Sequence, residues 1–300
     1  MTRARGAAAV LAAALALAGL AACTPGPEPA PSPSPVSSRR TPPPPATPPS
    51  TPGTPAPTTP PPPAPTPPPA PQPVEPPPPP APVPAPDALP PGLLGTDWER
   101  VPTTDAVVAL TFDGGASDAG VPSILATLAD RDVPATFFVT GDFARRYPER
   151  VAAVVAAGHR VGNHSDAHKH YPALTDAEIA VDLETARAAI VAAGAEPRPW
   201  FRFPYGDRTP ADVRAVNAAG YVPVRWTVDS LGWKGTSGGL TAAAVVERVL
   251  AAAQPGAIVL LHVGANPDDG TTLDADALPA VVDGLRARGY GFVTLDRLLG

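Results

Sequence analysis

The sequence predicts an α/β domain whose parallel strands close, or nearly close, into a barrel. From about residue 93 to Gly300, short apolar runs of strand length alternate with longer alanine-rich segments that have helical spacing. About seven such pairs fit into roughly two hundred residues, which favours a barrel over an open doubly wound sheet. No glycine-rich phosphate loop follows the first apolar run, and this disfavours a dinucleotide-binding fold.

The apolar runs are short and rich in β-branched and aromatic residues, which is typical of strands. They lie at residues 106–112, 135–139, 160–163, 200–203, 222–227, 257–261 and 291–295. The segments between them predict helices at residues 121–128, 150–157, 176–193, 210–219, 242–253 and 278–288. Asp118 is a plausible cap for the first helix. Because helices separate the strands, we expect the strands to run parallel.

The first 92 residues are expected to stay outside the folded domain. Residues 1–22 contain two arginines and then an unbroken Ala, Leu, Val and Gly run, which predicts an export signal that is short for a membrane span. This signal ends at Cys23 in a sequence that resembles a bacterial lipobox, so Cys23 is the expected lipidation site; an ordinary secretory signal is the alternative. Cys23 is the single cysteine of the chain, which excludes an intramolecular disulfide.

Residues 24–92 consist almost entirely of Pro, Ala, Thr and Ser, and they hold most of the 48 prolines. Such a segment cannot bury enough apolar surface to offset the entropy of ordering. We therefore expect a disordered, extended tether, followed by one folded domain over residues 93–300.

In a parallel β/α barrel the chemistry lies at the carboxyl ends of the strands. The groups that follow those ends here are Asp113, His164, His168, Arg202 and His262. On one helical turn, residues four apart share a face, so the first two histidines could converge on one metal ion. Taken alone, this pair is equally compatible with a polar, solvated turn. A carboxylate, imidazoles and a guanidinium at one rim indicate a site for hydrolytic chemistry.

In order and spacing, five motifs resemble those of the NodB-homology polysaccharide deacetylases of carbohydrate esterase family 4. The resemblance covers residues 107–298 and rests on Thr111-Phe112-Asp113-Gly114, His164 with His168, Arg202-Phe203-Pro204-Tyr205, Gly232-Trp233 and Leu260-Leu261-His262. It implies a distorted (β/α)7 barrel and a metal-dependent enzyme that removes acetyl groups from N-acetylated glycans or acetylated xylan.

The resemblance also implies roles for individual residues. Asp113 would be the general base, held by Arg202, while His164 and His168 would bind a divalent metal, with zinc expected and cobalt or manganese as alternatives. His262 would then be the general acid.

Three further residues would contact the substrate by the same resemblance. The backbone N–H of Tyr205 would stabilise the oxyanion, Trp233 would form a wall of the groove, and Leu260 would line the acetyl pocket. His159 and His170 match nothing in the family, and a structural role is expected for both.

Two glycines depart from the family's pattern. Gly114 stands where a carboxylate is the third metal ligand, so Asp113, Asp118, or substrate and water would have to complete the metal shell. Gly232 stands where an aspartate tunes the catalytic histidine, and Asp229 is the candidate replacement. A domain that has lost catalysis and only binds glycan is therefore an alternative.

The leading interpretation is a monomeric, exported N-deacetylase, anchored by lipid on the outer face of the cell membrane and acting on peptidoglycan. An acetylxylan esterase or a chitooligosaccharide deacetylase is the alternative within the enzymes. The net charge of −6 argues against a nucleic-acid partner, which needs a basic face.

Overall fold

A computed structural model describes residues 89–299 of the chain. The predicted export signal, Cys23 and the linker up to residue 88 lie outside the described residues. None of the helices between residues 89 and 299 combines the length and the apolarity that crossing a bilayer requires. The buried Leu93, in the 3-10 turn Pro91–Leu93, and the half-buried Leu89 pack against the core, so contacts with the core begin within the last residues of the predicted linker.

One sheet of eight parallel strands forms the centre of the domain. The strands are β1 (Val107–Gly114), β2 (Ala135–Val139), β3 (Arg160–Asn163), β4 (Trp200–Phe201), β5 (Val222–Pro223), β6 (Val228–Asp229), β7 (Ala257–His262) and β8 (Gly291–Phe292). Their order across the sheet is β5-β4-β3-β2-β1-β7-β6, and β8 pairs with the first two residues of β1. The predicted class, a parallel α/β barrel, is therefore confirmed in a partly open form.

Between residues 89 and 299, seven α-helices surround the sheet. They are α1 (Val121–Asp130), α2 (Gly141–Arg146), α3 (Pro148–Ala156), α4 (Asp176–Ala192), α5 (Pro210–Ala218), α6 (Ala242–Ala251) and α7 (Leu273–Ala287). Threonine side chains cap four of them; in α4, Thr175 and Glu178 form a reciprocal capping box. Helix α1 has no such cap, because Gly120 occupies the cap position and Asp118 instead pairs with Arg150.

Side chains of successive strand residues alternate between two buried layers. Val108, Leu110 and Phe112 of β1 belong to the layer between the sheet and the helices. Ala109 belongs to a second layer inside the barrel, which also contains Phe138. Because the period is two residues, Asp113 falls on the inner face at the carboxyl end of β1.

A short stretch of extended chain, residues 98–101, links the chain beside the edge strand β5 to the start of β7; we call it the closing segment. Its Trp98 pairs with the chain that follows β5, and Arg100 pairs with the first residue of β7. Two ion pairs hold this region, between Asp97 and Arg208 (2.6 Å) and between Glu99 and Arg225 (2.9 Å). The gap between β5 and β7 is thus bridged by chain outside the regular strands.

Two predicted elements differ clearly from the structure, and one helix was not predicted. The strand predicted at 222–227 is interrupted, because the Arg225 N–H binds the Trp98 carbonyl and the Thr227 N–H binds that of Ile258. Helix α7 begins five residues earlier than predicted and contains Pro279 in its interior. Helix α2 was not predicted, since it has only six residues.

Candidate active site

A cavity of about 700 Å³ opens at the carboxyl ends of the strands. The two-residue alternation brings polar side chains to its floor, each just beyond the apolar inner layer. Those at the carboxyl ends of β1, β3, β4, β6 and β7 are Asp113, His164, Arg202, Asp229 and His262. Four of the five line the cavity, and Arg202 lies beneath them, fully buried. The structure therefore brings together the residues that the sequence placed at one rim.

Arg202 holds Asp113 in a buried ion pair. Its Nη1 donates to Asp113 Oδ1 at 2.7 Å, while the other guanidinium nitrogens donate to Thr111 Oγ1 and to the carbonyls of Val224 and Arg225. Burial by itself raises the pKa of Asp113, but the charge of Arg202 and the nearby imidazoles outweigh burial and hold that pKa below its ordinary value. Asp113 is thus an ionised carboxylate with one oxygen, Oδ2, left to act.

His164 and His168 meet through a loop and not through a helical turn. Ser165 and His168 both have positive φ, and the Ser165 hydroxyl accepts a hydrogen bond from the His168 N–H at 2.9 Å. The centroids of the His164 and His168 rings lie 4.9 Å apart. The assumption of a helical turn was therefore wrong, although the predicted proximity of the two rings is observed.

Both imidazoles favour the neutral form, in which a ring nitrogen can bind a metal ion through its lone pair. Burial lowers the pKa of His164, and it lowers the pKa of His168 to about 4. His164 Nδ1 lies 2.9 Å from the Arg202 carbonyl, which can only accept, so Nδ1 carries the proton and Nε2 keeps its lone pair. That Nε2 atom lies 3.4 Å from Asp113 Oδ2. Two oriented imidazoles beside a carboxylate are a donor set that suits a divalent transition metal.

Neither Asp118 nor position 114 supplies a third protein ligand. Within residues 89–299 no three His, Cys, Asp or Glu side chains form a complete metal-holding group. Asp118 is paired with Arg150 and does not line the cavity. A side chain at Gly114 would begin 3.2–3.4 Å from the apolar side chains of Val263, Phe143 and Val139. Of the two predicted candidates for a third ligand, only Asp113 lies beside the imidazoles.

Tyr205 lines the cavity in a left-handed backbone conformation, with φ of 61°. Its N–H donates to none of the described residues, so it is available to a ligand. The exposed ring stacks on His170 at 4.1 Å and contacts the edge of His168. His170, for which only a structural role was predicted, therefore supports an aromatic surface at the mouth of the cavity.

Trp233 and Leu260 line the cavity as the sequence suggested. Leu260 is buried, whereas Trp233 is 46% exposed and offers a ring face beside the imidazole of His262. Asp229 accepts hydrogen bonds from the Leu231 N–H at 2.8 Å and from Trp233 Nε1 at 3.3 Å. Its two oxygens thus orient the Trp233 loop.

The carboxylate nearest to His262 belongs to Asp274, in the first turn of α7. Asp274 Oδ2 accepts the backbone N–H of His262 at 2.8 Å and lies 3.5 Å from its Nδ1. Burial by itself lowers the pKa of His262, but the interaction with Asp274 and the charges of Asp113 and Asp229 outweigh burial and raise it. The effect on His262 that was predicted for Asp229 is therefore exerted more directly by Asp274. Asp229 acts on His262 only through its charge.

Sequence reasoning missed Asp274 because the helix was predicted to begin at residue 278. A carboxylate in the first turn of a helix is a common feature that favours the helix dipole, so its type alone gave no signal. His159, by contrast, is the core histidine expected: it packs on Phe137, and burial lowers its pKa.

Comparison with known proteins agrees with this geometry. Residues 100–224 match the family model described as polysaccharide deacetylase. A chitooligosaccharide deacetylase from Bradyrhizobium sp. (strain ANU 289) is 38% identical over 201 residues, which cover 64% of this chain and 90% of the relative. A peptidoglycan-N-acetylglucosamine deacetylase from Bacillus cereus is 32% identical over 65% of this chain and 68% of that protein.

A solved structure adds a further likeness. The wild-type pseudoenzyme of carbohydrate esterase family 4 from Bacillus anthracis is 29% identical and superposes with a TM-score of 0.61, covering 67% of this chain and 68% of that one. A mutant of the same protein, described as having restored enzymatic activity, superposes equally well.

Proposed function

The chain belongs to the polysaccharide deacetylase family, hydrolases of amide C–N bonds, and we propose on that basis that it N-deacetylates peptidoglycan. The observation that carries the proposal is the pairing of Asp113 with His262. These two residues are register partners across β1 and β7, so a base and an acid lie side by side at one cavity. Their pKa values are shifted in opposite directions, which suits the two roles.

Asp113 is the base in this proposal. Its lowered pKa keeps it ionised at neutral pH, and Arg202 fixes Oδ1 so that Oδ2 faces the cavity. A water molecule beside Oδ2 would lose its proton to this oxygen as it attacks the acetamide carbonyl. A carboxylate in a fixed orientation needs little reorganisation in the transition state, and this lowers the barrier.

His262 supplies the proton that the leaving amine requires. Its raised pKa keeps a proton available near neutral pH, and 28% of its side chain is exposed. The N–H of Tyr205, which lines the same cavity and bonds to none of the described residues, can donate to the developing oxyanion. Leu260 would hold the acetyl methyl group, and Trp233 would stack against a sugar ring.

His164 and His168 would hold a divalent metal, with zinc the first choice and cobalt or manganese the alternatives. Bound there, such an ion would supply Lewis-acid polarisation of the carbonyl and a lower pKa for water. With two imidazoles and a shared carboxylate as its protein donors, we expect weaker metal retention than in a site with three dedicated ligands.

The choice of glycan follows from the relatives and from the N-terminal sequence. The relatives described above are named for peptidoglycan and for chitooligosaccharides, and both polymers carry N-acetylglucosamine. The proposed lipid on Cys23 and the proline-rich tether predicted for residues 24–92 would hold the domain outside the membrane, where the cell wall is the nearest glycan. Mass spectrometry of the mature N-terminus tests the anchor, and size-exclusion chromatography with light scattering tests the expected monomer.

Acetate release from peptidoglycan and from chitin oligomers tests the activity. The full chain is assayed after exhaustive chelation and then with zinc, cobalt or manganese added back. We expect release that depends on the metal and falls by about 10²-fold or more in Asp113→Asn and in His262→Ala. Rates that survive both substitutions, in protein that stays folded, would contradict the assignment of base and acid.

A glycan-binding module without catalysis is the second candidate, and Gly114 is the observation that favours it. Under this hypothesis the wild-type chain binds glycan and releases no acetate with any metal, as the resemblance to a pseudoenzyme allows. Gly114→Asp then becomes the informative variant, although its Cβ must displace Val263 by a few tenths of an ångström. Acetate release gained only in that variant would establish the binding module and exclude our first proposal.

A further inference from the structure

We propose that Asp274 is the positioning residue of His262, and that it occupies the space opened by Gly232. This inference rests on the proposed deacetylase function, because it concerns the histidine that would donate the proton. Asp274 lies 42 positions after Gly232 in the chain. Nothing in its sequence context marks it, and only the packing of α7 against the end of β7 brings it to the site.

The first observation is the fit between Gly232 and Asp274. A Cβ atom built on Gly232 would lie 2.1 Å from Asp274 Oδ1 and 2.5 Å from Asp274 Cγ. Any side chain at position 232 would therefore overlap the carboxylate. Gly232 does not have a positive φ, so backbone conformation gives no reason for glycine here. The glycine is explained by the room that the carboxylate occupies.

The second observation is the contact that this carboxylate makes. One oxygen, Oδ2, accepts the backbone N–H of His262 and also faces its Nδ1 at 3.5 Å. Nδ1 is buried and makes no hydrogen bond with the described residues, so Asp274 acts on it at 3.5 Å through its negative charge; the ring as a whole is partly exposed. The side of the imidazole that carries Nε2 is therefore the side turned toward the cavity. Asp274 thus selects the tautomer with the proton on Nδ1, or stabilises the imidazolium, and in both cases it aims Nε2 at the substrate.

The third observation is burial. Asp274 is 2% exposed, and its Oδ1 has no hydrogen-bond partner among the described residues. An isolated carboxylate buried in this way costs several kcal/mol unless a cation or donors compensate it. No arginine or lysine pairs with it in the described part of the chain, so His262 is its compensating group. The free-energy cost of burying the Asp274 carboxylate is consistent with a residue whose role is to act on His262.

A favourable interaction with the helix dipole is a simpler explanation for an aspartate at position 274. The neighbouring Asp276 allows this explanation to be tested against a positioning role. Both aspartates lie in the first turn of α7, where a negative charge favours the helix. Asp276 is exposed and does not contact His262. A role limited to the helix would therefore make Asp274→Asn and Asp276→Asn equivalent, whereas a positioning role separates them.

The test moves the carboxylate from position 274, in α7, to position 232, in the loop that follows β6. Asp274→Asn, Asp274→Ala, Gly232→Asp, the double variant Gly232→Asp/Asp274→Ala and the control Asp276→Asn are prepared in the full-length chain. Acetate release gives kcat and KM, and thermal unfolding reports stability. Two-dimensional 1H–15N spectra of the imidazoles report the tautomer of His262, whose signal is identified by its loss in His262→Gln.

We expect kcat to fall about 10- to 100-fold in Asp274→Asn, with KM changed less than about threefold, because proton donation and not binding is impaired. Gly232→Asp alone should also lose activity through overlap, whereas the double variant should recover at least about tenfold over Asp274→Ala. An unchanged kcat in Asp274→Asn, or a folded double variant no better than Asp274→Ala, would overturn the inference. The spectra distinguish failure of this inference from failure of the proposed function. If the protein releases no acetate but the tautomer of His262 still changes in Asp274→Asn, the function is refuted and the role of Asp274 stands.

Discussion

Replacing the buried Arg202 by methionine should be among the most damaging single changes in this domain. The guanidinium is fully buried, lies 4.2 Å above the Phe138 ring, and donates to Asp113, to Thr111 and to two backbone carbonyls. Arg202→Met keeps the length of the side chain but leaves an ionised carboxylate and three acceptors without donors. Removing one partner of such a buried pair costs about 3–5 kcal/mol. That is a large part of the roughly 5–15 kcal/mol by which a domain is stable.

The pH dependence of this loss has a defined sign. In the wild type the pKa of Asp113 is lowered, so its stabilising contribution is present above the ordinary carboxyl pKa and is lost as the pH falls through the lowered value. Without Arg202, burial dominates and the pKa of Asp113 rises. The carboxylate then destabilises the fold at neutral pH, and protonation at acid pH relieves it. The difference in unfolding free energy between wild type and variant should therefore shrink as the pH is lowered toward 4.

Urea unfolding followed by tryptophan fluorescence, at pH 7 and again near pH 4.5, measures this difference. Arg131→Met is the matched control, because Arg131 forms its ion pair with Asp283 at the surface and should leave the unfolding midpoint nearly unchanged. In any Arg202→Met protein that retains activity, the acid limb of kcat/KM should move to higher pH. Equal midpoints for the two variants, or a difference that grows at acid pH, would refute the assignment of Arg202 as the counterion of Asp113.

Three further changes have expected outcomes. His159→Leu should reduce the loss of unfolding free energy on acidification. Burial holds the pKa of His159 below 6.5, so the unfolded chain takes up a proton first as the pH falls below that value, and the fold loses stability. Unfolding at pH 7 and pH 5 checks this, and an equal loss of unfolding free energy in wild type and variant would contradict it. Gly206→Ala should destabilise by about 1–3 kcal/mol and lower kcat, because φ is 67° and a Cβ would lie 2.7 Å from the Trp226 ring; calorimetry and acetate release measure the two effects. Thr175→Ala should cost about 1 kcal/mol of unfolding free energy without changing kcat, because it removes only the cap of α4.

Strand periodicity explains why much of the site was visible in the sequence. A residue that directly follows an apolar strand, such as Asp113 or His262, takes its direction from the two-residue alternation. The parallel arrangement then brings those ends to one edge, so Asp113, His164, Arg202 and His262 could be predicted to meet. The comparisons confirm the family, while the individual catalytic roles stay predictions.

The features that could not be predicted depend on tertiary contacts. His168 reaches its partner through two residues with positive φ, Ser165 and His168 itself, which no propensity indicates for these types. The break between β5 and β6 occurs because Trp98, more than a hundred residues earlier, takes the hydrogen bonds of Arg225. Asp274 becomes a neighbour of His262 only when α7 packs, so spacing along the chain contains no trace of it.

The closing segment has a consequence for self-association. At residues 98–101 it occupies hydrogen-bonding groups of the chain beside β5 and β7, including the carbonyls of Pro223 and Gly256. Were the chain to begin after residue 101, the chain beside β5 and before β7 would present unpaired groups that a second molecule could use as a template. Residues that precede the first strand, and hold none of the candidate catalytic groups, thus cover hydrogen-bonding groups that would otherwise be open to another chain.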